Sequence, residues 1–250
     1  MVAYDGVNVY YGNYRVREDA TDADNPPSVR RSRDAELNRR GILAAAVAEF
    51  AEHGLSGARV DAIAARANTT VRMIYHYFGS KDGLYVAALE EAYGDMRGAE
   101  QELGVERMPP IEGIRRMVEF VFDYQETHPE FTRLVAVENI HRAAHIEQSP
   151  KIQAQNATVI QTLTGILERG QSAGLFREDV APVGLHMLMT AFPFFRVSNR
   201  YTLETIFGQD PLSPELRKQH REMVVASVLG FLTAGISRSA GVRAARRKKA

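Results

Sequence analysis

A chain of 250 residues with 45% hydrophobic content and equal numbers of basic and acidic side chains, 31 of each, can bury a real core, which excludes disorder throughout. It has no cysteine, which excludes a disulfide framework and a thiolate metal site and fits a reducing cytoplasm. The opening MVAYDGVNVYYGNYRVRED lacks a basic start followed by an apolar core, and the longest uncharged apolar stretch, MVVASVLGFLTAGI at 223–236, is too short to span a bilayer, so the expectation is a soluble cytoplasmic protein with no membrane segment.

Charge is unevenly spread along the chain. Residues 1–29 carry 2 basic and 5 acidic groups, 30–81 carry 9 and 5, 82–237 carry 14 and 21, and 238–250 carry 6 and 0. A basic block ahead of an acidic body points to a polyanion-binding module joined to a domain that does not bind polyanions.

Residues 1–33 are polar, lack helical periodicity and end in NPPSVRRSR, which reads as a flexible N-terminal arm. From Asp34 onward the pattern is helical and strand-like alternation is missing, so the fold class is all-α. The first helix is expected from about Asp34 to His53, with Leu43, Val47 and Phe50 on one face and Gly54 as its stop. Two short helices follow, Val60 to Ala67 and Val71 to Phe78, separated by a three-residue turn; that is the length pattern of a helix-turn-helix.

In the second short helix Val71, Ile74 and Phe78 share one face and are expected to pack inward. Thr70, Arg72, Met73 and His76 then face outward, a set suited to base edges in a major groove, where Arg reads guanine and Thr offers a hydroxyl and a methyl. Tyr75 and Tyr77 flank that face as phenols able to donate to phosphate. Ser80 is a natural N-cap, so Lys81 opens a further helix whose amides and ammonium can meet phosphate.

Beyond this point Pro110, Pro129, Pro150, Pro182 and Pro214 each precede a helical run, where a first-turn proline is tolerated. Helices are expected near 81–103, 110–127, 129–146, 150–173, 181–202 and 214–238, with Pro193 kinking its helix and RSAGVRAARRKKA as a basic tail. No catalytic nucleophile paired with a base and no phosphate-binding glycine loop is present, so neither an enzyme nor a cofactor is expected.

The block of about fifty residues around the helix-turn-helix resembles the N-terminal domain of the TetR family of transcriptional regulators. The matching residues are Gly54, Ile63-Ala64, Ile74-Tyr75-His76-Tyr77-Phe78 and Ser80-Lys81-Asp82-Gly83-Leu84. The resemblance implies a three-helix DNA-binding domain over 34–80, a connecting helix, and a larger helical ligand-binding and dimerisation domain over 81–238, followed by the tail at 239–250. It also implies a homodimer that releases a palindromic double-stranded DNA operator when a small-molecule effector binds, most simply as a repressor.

Two departures stand out. Ala58-Arg59 occupies positions where the family carries Thr or Ser, so Arg59 is expected to supply a charge-assisted phosphate contact. Asn68-Thr69 replaces the commoner Gly-Val, which alters the turn and offers Thr69 a polar contact. The arm is longer than the family needs, and Arg30, Arg31 and Arg33 are placed to reach the minor groove or the backbone.

In the larger domain, IEGIRRMVEFVFDYQE is apolar around most of its circumference and is expected to be enclosed. FTRLVAVENI, after His128-Pro129, resembles a sub-branch of the family that includes pyrimidine-sensing and other catabolic regulators. It implies a ligand among the helices beginning near 81, 110, 129, 150 and 181, lined by Phe120, Tyr124, Arg142, His145, His186, Phe192 and Arg196, which suits a small planar, aromatic or anionic compound. The helices near 181–202 and 214–238, rich in small and apolar residues, are expected to form the dimer interface.

A second reading stays open. Glu138, His141 and His145 have E-x2-H-x3-H spacing, which on a continuous helix places three possible metal ligands on one face with His186 able to complete the site, as in a helical metal-binding protein or metalloenzyme.

Overall fold

The computed structural model describes residues 27–235, and side chains from residue 35 onward. The chain divides into the units Met1–Leu37 and Asn38–Ala250; apart from the start of the first helix, the description below concerns the second. Among the described residues every regular element is helical: α1 Pro27–Gly57, α2 Val60–Arg66, α3 Val71–Phe78, α4 Lys81–Gln101, α5 Pro110–Thr127, α6 Pro129–Ile140, α7 Pro150–Ser172, α8 Pro182–Ser198, α9 Arg200–Phe207 and α10 Pro214–Thr233, with a 3-10 turn at Val105–Arg107. The basic tail at 239–250 and the arm up to residue 26 lie outside the described residues, as do the side chains of Arg30, Arg31 and Arg33.

Helix α1 begins at Pro27, earlier than the expected Asp34, so the last part of the expected arm is helical. A proline suits a first helical turn because its missing N–H has no partner there, and nothing between Ser28 and Asp34 interrupts the helix. Gly54 does break the helical path, at φ 66 and ψ 176, before a short continuation to Gly57.

The helix-turn-helix forms with α3 at the expected residues. Its turn depends on Asn68, whose φ of 49 is in the left-handed region, and a short amide side chain tolerates that region where most residues do not. Asn68 thus takes the conformation that a glycine would supply, and the turn is closed by the Thr69 N–H donating to the Ala64 carbonyl at 2.9 Å. Thr70 caps α3 by accepting from the Met73 N–H, and Gly79, at φ 74, ends it. Ser80 caps α4 by accepting from the Gly83 N–H at 2.9 Å.

Gly83 lets α3 and α4 meet closely. A Cβ built at this position lies 2.2 Å from the Phe78 carbonyl oxygen, which is backbone and cannot move aside cheaply. Gly83→Ala is expected to destabilise the protein by about 1–3 kcal/mol through overpacking. Thermal melts of the full chain check this; an unchanged melting temperature would show that α3 and α4 can separate freely.

Three helix ends differ from expectation. Helix α6 stops at Ile140 instead of near 146, and Arg142 and Ala143 both adopt φ 58. The cause is Glu138, whose fully buried carboxyl group draws in the N–H groups of His145 and Ile146, both at 3.3 Å, and so folds the chain back into a turn. The expected helix at 181–202 is two helices divided at Asn199, whose amide donates to the Phe195 carbonyl at 3.2 Å and to Ser198 Oγ at 2.8 Å. Pro193 sits inside α8 without ending it. Helix α10 ends at Thr233, where Ala234 turns extended and Gly235 takes φ 82.

Two apolar clusters hold the unit together. One joins Leu43, Phe50, Ile63 and Ile74 to Leu84, Leu89, Val121, Phe131 and Leu134. The other gathers Met117, Phe122, Leu163, Ile166, Leu185, Val225 and Val228 from α5, α7, α8 and α10. Ion pairs lace the second: Arg217 with Asp123 at 2.7 Å and Glu126 at 3.0 Å, Arg221 with Asp123 at 3.1 Å and Glu119 at 3.3 Å, and Arg196 with Glu126 at 2.8 Å.

Candidate nucleic-acid interface and buried polar site

Helix α3 is anchored through one side only. Ile74 is fully buried, Tyr77 and Phe78 are half-buried against the same cluster, and Arg72, Tyr75 and His76 are exposed, Tyr75 by 42%. Thr70 is exposed at the N-cap, while Thr69 and Met73 are half-buried beside it. Val71, expected inward, is 36% exposed in the first turn of α3, where Ile74 is the buried residue of the helix. Phe78 gains a cation–π contact from Arg39, 5.7 Å from its ring centroid.

The flanking cations have partners of their own. Arg59 holds Asp61 in a two-point contact, at 3.1 and 2.6 Å, and both groups are fully exposed. This pairing raises the Arg59 pKa and lowers that of Asp61. A phosphate at Arg59 must therefore compete with Asp61. Arg59 also occupies the N-cap position of α2 without a side-chain capping bond, and its N–H donates to the buried Glu49 of α1 at 3.1 Å. Lys81 is half-buried with its Nζ 3.5 Å from the Ser56 carbonyl, close to the start of α4.

The residues expected to line a ligand site are dispersed. Phe120 and Tyr124 belong to the first cluster, with Tyr124 stacked on His128 at 3.9 Å. Phe192 and Arg196 face α10 and α5: Phe192 meets the His220 ring edge-on at 5.3 Å, and Arg196 lies over Phe122 while donating to the Pro211 carbonyl at 2.8 Å. Arg142 is exposed on the turn after α6. His145 is held by Glu138, 2.9 Å from its Nδ1, with its ring edge-on to Tyr85 at 4.9 Å. Tyr85 in turn meets Phe50 of α1 at 4.9 Å. Burial and the nearby Glu138 raise the Tyr85 pKa.

The metal reading loses its geometric basis. Because α6 ends at Ile140, Glu138, His141 and His145 do not share a helical face; Glu138 and His145 bond to each other and His141 is exposed. Among the described residues no group of three or more His, Cys, Asp and Glu is placed to hold a metal ion.

A different constellation lies between α4, α7 and α8. Arg97 and Glu100, both buried, form an ion pair, and Arg97 also reaches Met96 Sδ at 3.4 Å. Arg97 Nε, Glu100 Oε1, Gln155 Oε1 and His186 Nδ1 are all buried with no protein partner. Burial, aided by the Arg97 charge, pushes the His186 pKa down to about 4, so this imidazole is neutral at pH 7. Desolvation raises the pKa of Glu100 against the opposing pull of Arg97. Of this group only His186 was singled out from the sequence. The available signal for Arg97 and Glu100 was an i,i+3 pair of opposite charges set among Gly94, Gly98 and Ala99; Gln155 on α7 carried none.

Comparison with known proteins bears on the family and the fold. Residues 42–88 match the family model described as bacterial regulatory proteins, tetR family, and residues 110–228 match that of the tetracyclin repressor-like C-terminal domain. The HTH-type transcriptional repressor NicS of Pseudomonas putida is 36% identical over 180 residues, 72% of this chain and 85% of that one. The HTH-type transcriptional repressor SCO4008 of Streptomyces coelicolor is 34% identical over 199 residues, 77% of this chain and 98% of that one. Among solved structures, the putative transcriptional regulator SCO4942 of Streptomyces coelicolor superposes with a TM-score of 0.60 at 25% identity, covering 78% of this chain and 98% of that one. These relatives and neighbours are regulators rather than enzymes. The chain belongs to the TetR family of bacterial transcriptional regulators, with an N-terminal helix-turn-helix for DNA and an all-helical C-terminal domain for ligand.

Proposed function

We propose that the protein is a cytoplasmic, homodimeric repressor that releases a near-palindromic operator when a small effector enters its C-terminal domain, with residues 34–80 reading DNA and 81–238 binding effector and partner subunit. The observation that carries the reading is the one-sided anchoring of α3: Ile74 is fully buried while Arg72, Tyr75 and His76 stand clear of the protein. In this reading Thr69, Thr70, Arg72, Met73 and His76 face base edges, and Tyr75, Tyr77, Lys81 and Arg59 meet phosphates.

Dimerisation through α8 and α10 is supported by large apolar side chains left exposed there, Val183, Met187, Leu188 and Phe195 on α8 and Met223 and Phe231 on α10. Helix α9 adds Tyr201, Ile206 and Phe207, the last exposed by 68%. Such a surface is costly in water, and a twofold partner would cover it. Two α3 helices spaced by about one turn of DNA, roughly 34–36 Å, would then reach successive major grooves. The effector acts by its differential affinity for the two arrangements. The line from Glu138 and His145 through Tyr85 to Phe50 is one contact by which the turn after α6 bears on α1.

Footprinting with the full chain on DNA flanking its own gene tests this reading. Protection of a palindrome that survives competitor DNA is expected, and no protection at moderate salt would refute it. On that site, Arg72→Ala is expected to relax base preference, with a discrimination loss of about 1–3 kcal/mol at the affected position. Lys81→Ala should weaken all sequences alike and reduce the salt dependence. Equal loss of selectivity in both variants would overturn the division between base and phosphate contacts.

A further inference from the structure

The buried polar constellation between α4, α7 and α8 has more hydrogen-bonding capacity than the protein satisfies. Arg97 Nε is a donor without an acceptor; Glu100 Oε1 and Gln155 Oε1 are acceptors without donors; and His186 Nδ1, on a ring that the Arg97 charge reaches, is unpartnered as well. Buried polar groups are ordinarily paired, so a set of four orphans on three adjoining helices marks a place built for something else to occupy. Gln155 lies against α4 one turn before Arg97, since a Cβ built at Gly94 would be 3.0 Å from its Nε2.

Charge decides what would fit. Arg97 is already matched by Glu100, and His186 is neutral, so the constellation has no net charge to offer. An anion or a cation entering it would be buried without compensation, which costs far more than burying an uncharged polar group that is hydrogen-bonded. We propose that Arg97, Glu100, Gln155 and His186 form the effector site, and that it takes an uncharged compound bearing an amide-like edge, with N–H donors toward Glu100 and Gln155 and one carbonyl acceptor toward Arg97 Nε. This rests on the reading of the C-terminal domain as the effector domain and narrows the broader class expected from sequence: planar fits, anionic does not.

Three probes of one shape separate the possibilities: benzamide, benzoate and benzamidine, added at millimolar concentration to the full chain and followed by thermal shift and calorimetric titration. Benzamide is expected to raise the melting temperature, with the other two at least about tenfold weaker, the discrimination expected when a buried charge lacks a partner. In Glu100→Gln the uncompensated Arg97 charge should reverse the order, so that benzoate binds more tightly than benzamide. The paired replacement Arg97→Met with Glu100→Leu removes both charges together, a change that often leaves folding intact or improves it, and it should abolish the benzamide response. Tighter benzoate than benzamide binding in the wild type, no reversal in Glu100→Gln, or no response to any probe would each overturn the proposal. Release of the operator by other compounds from a chemical library would then still support the effector reading, whereas failure of release by all compounds would count against that reading itself.

Discussion

Glu138→Gln is expected to lower the unfolding free energy by about 3 kcal/mol, near the loss seen when one partner of a buried, hydrogen-bonded ionisable pair is removed. The side chain is almost isosteric, so packing changes little and the effect isolates hydrogen bonding. Glu138 Oε1 lies 2.9 Å from His145 Nδ1, and Oε2 accepts from the N–H groups of His145 and Ile146. An amide can keep its oxygen on the two N–H groups, but its NH2 then meets His145 Nδ1, so the ring must present that nitrogen unprotonated and the contact loses the carboxylate's charge. Denaturant titration of the full chain measures the loss. A change below about 0.5 kcal/mol, the range of ordinary surface substitutions, would show that the turn after α6 holds without this network. The same variant frees His145 from its place against Tyr85, so operator affinity is expected to become less responsive to effector even under conditions where the protein is fully folded.

Arg196→Ala is the second large effect, at about 3–5 kcal/mol. Sequence alone made Arg196 a ligand contact, but in the fold it is 2% exposed, donates to the Pro211 carbonyl, pairs with Glu126 and covers the ring of Phe122 at 4.4 Å. Its removal opens a void between α5, α8 and α10 and strips the Pro211 carbonyl of its donor. Glu126 keeps Arg217, which limits the cost. Stability should therefore fall steeply in denaturant titration while effector binding in the folded fraction is unchanged. The reverse pattern, stability kept and effector binding lost, would return Arg196 to the ligand through its unpartnered Nη2.

These two residues show where sequence reasoning reaches its limit. Both are charged side chains at positions that helical spacing places beside apolar ones, and spacing cannot say whether such a group meets a ligand, a carbonyl or another charge. Helix α3 was legible to the residue because its cap, its period and its glycine stop are all local. Asn68 departs from the commoner glycine in the sequence, but its role lies in the backbone angle, since a left-handed φ explains why an asparagine serves there. The end of α6 was not legible at all: nothing in HRAAHIEQ forbids a helix, and only the burial of Glu138 makes the turn a better home for the following N–H groups.

By itself, the sequence determined that this protein is helical, where nearly every helix starts, and that residues around 54–84 form a helix-turn-helix. Those are consequences of local propensity, capping and periodicity, which act over a few residues. The tertiary structure alone decided which ionisable groups are matched by neighbours and which are left wanting a partner. Arg196 is held by the Pro211 carbonyl and Glu126 with its Nη2 left over, and His145 by Glu138, whereas the atoms left over on α4, α7 and α8 are Arg97 Nε, Glu100 Oε1, Gln155 Oε1 and His186 Nδ1. That distinction depends on which helices happen to face one another, and in a low-dielectric interior an unpaired polar atom is worth far more than its position in the chain can reveal.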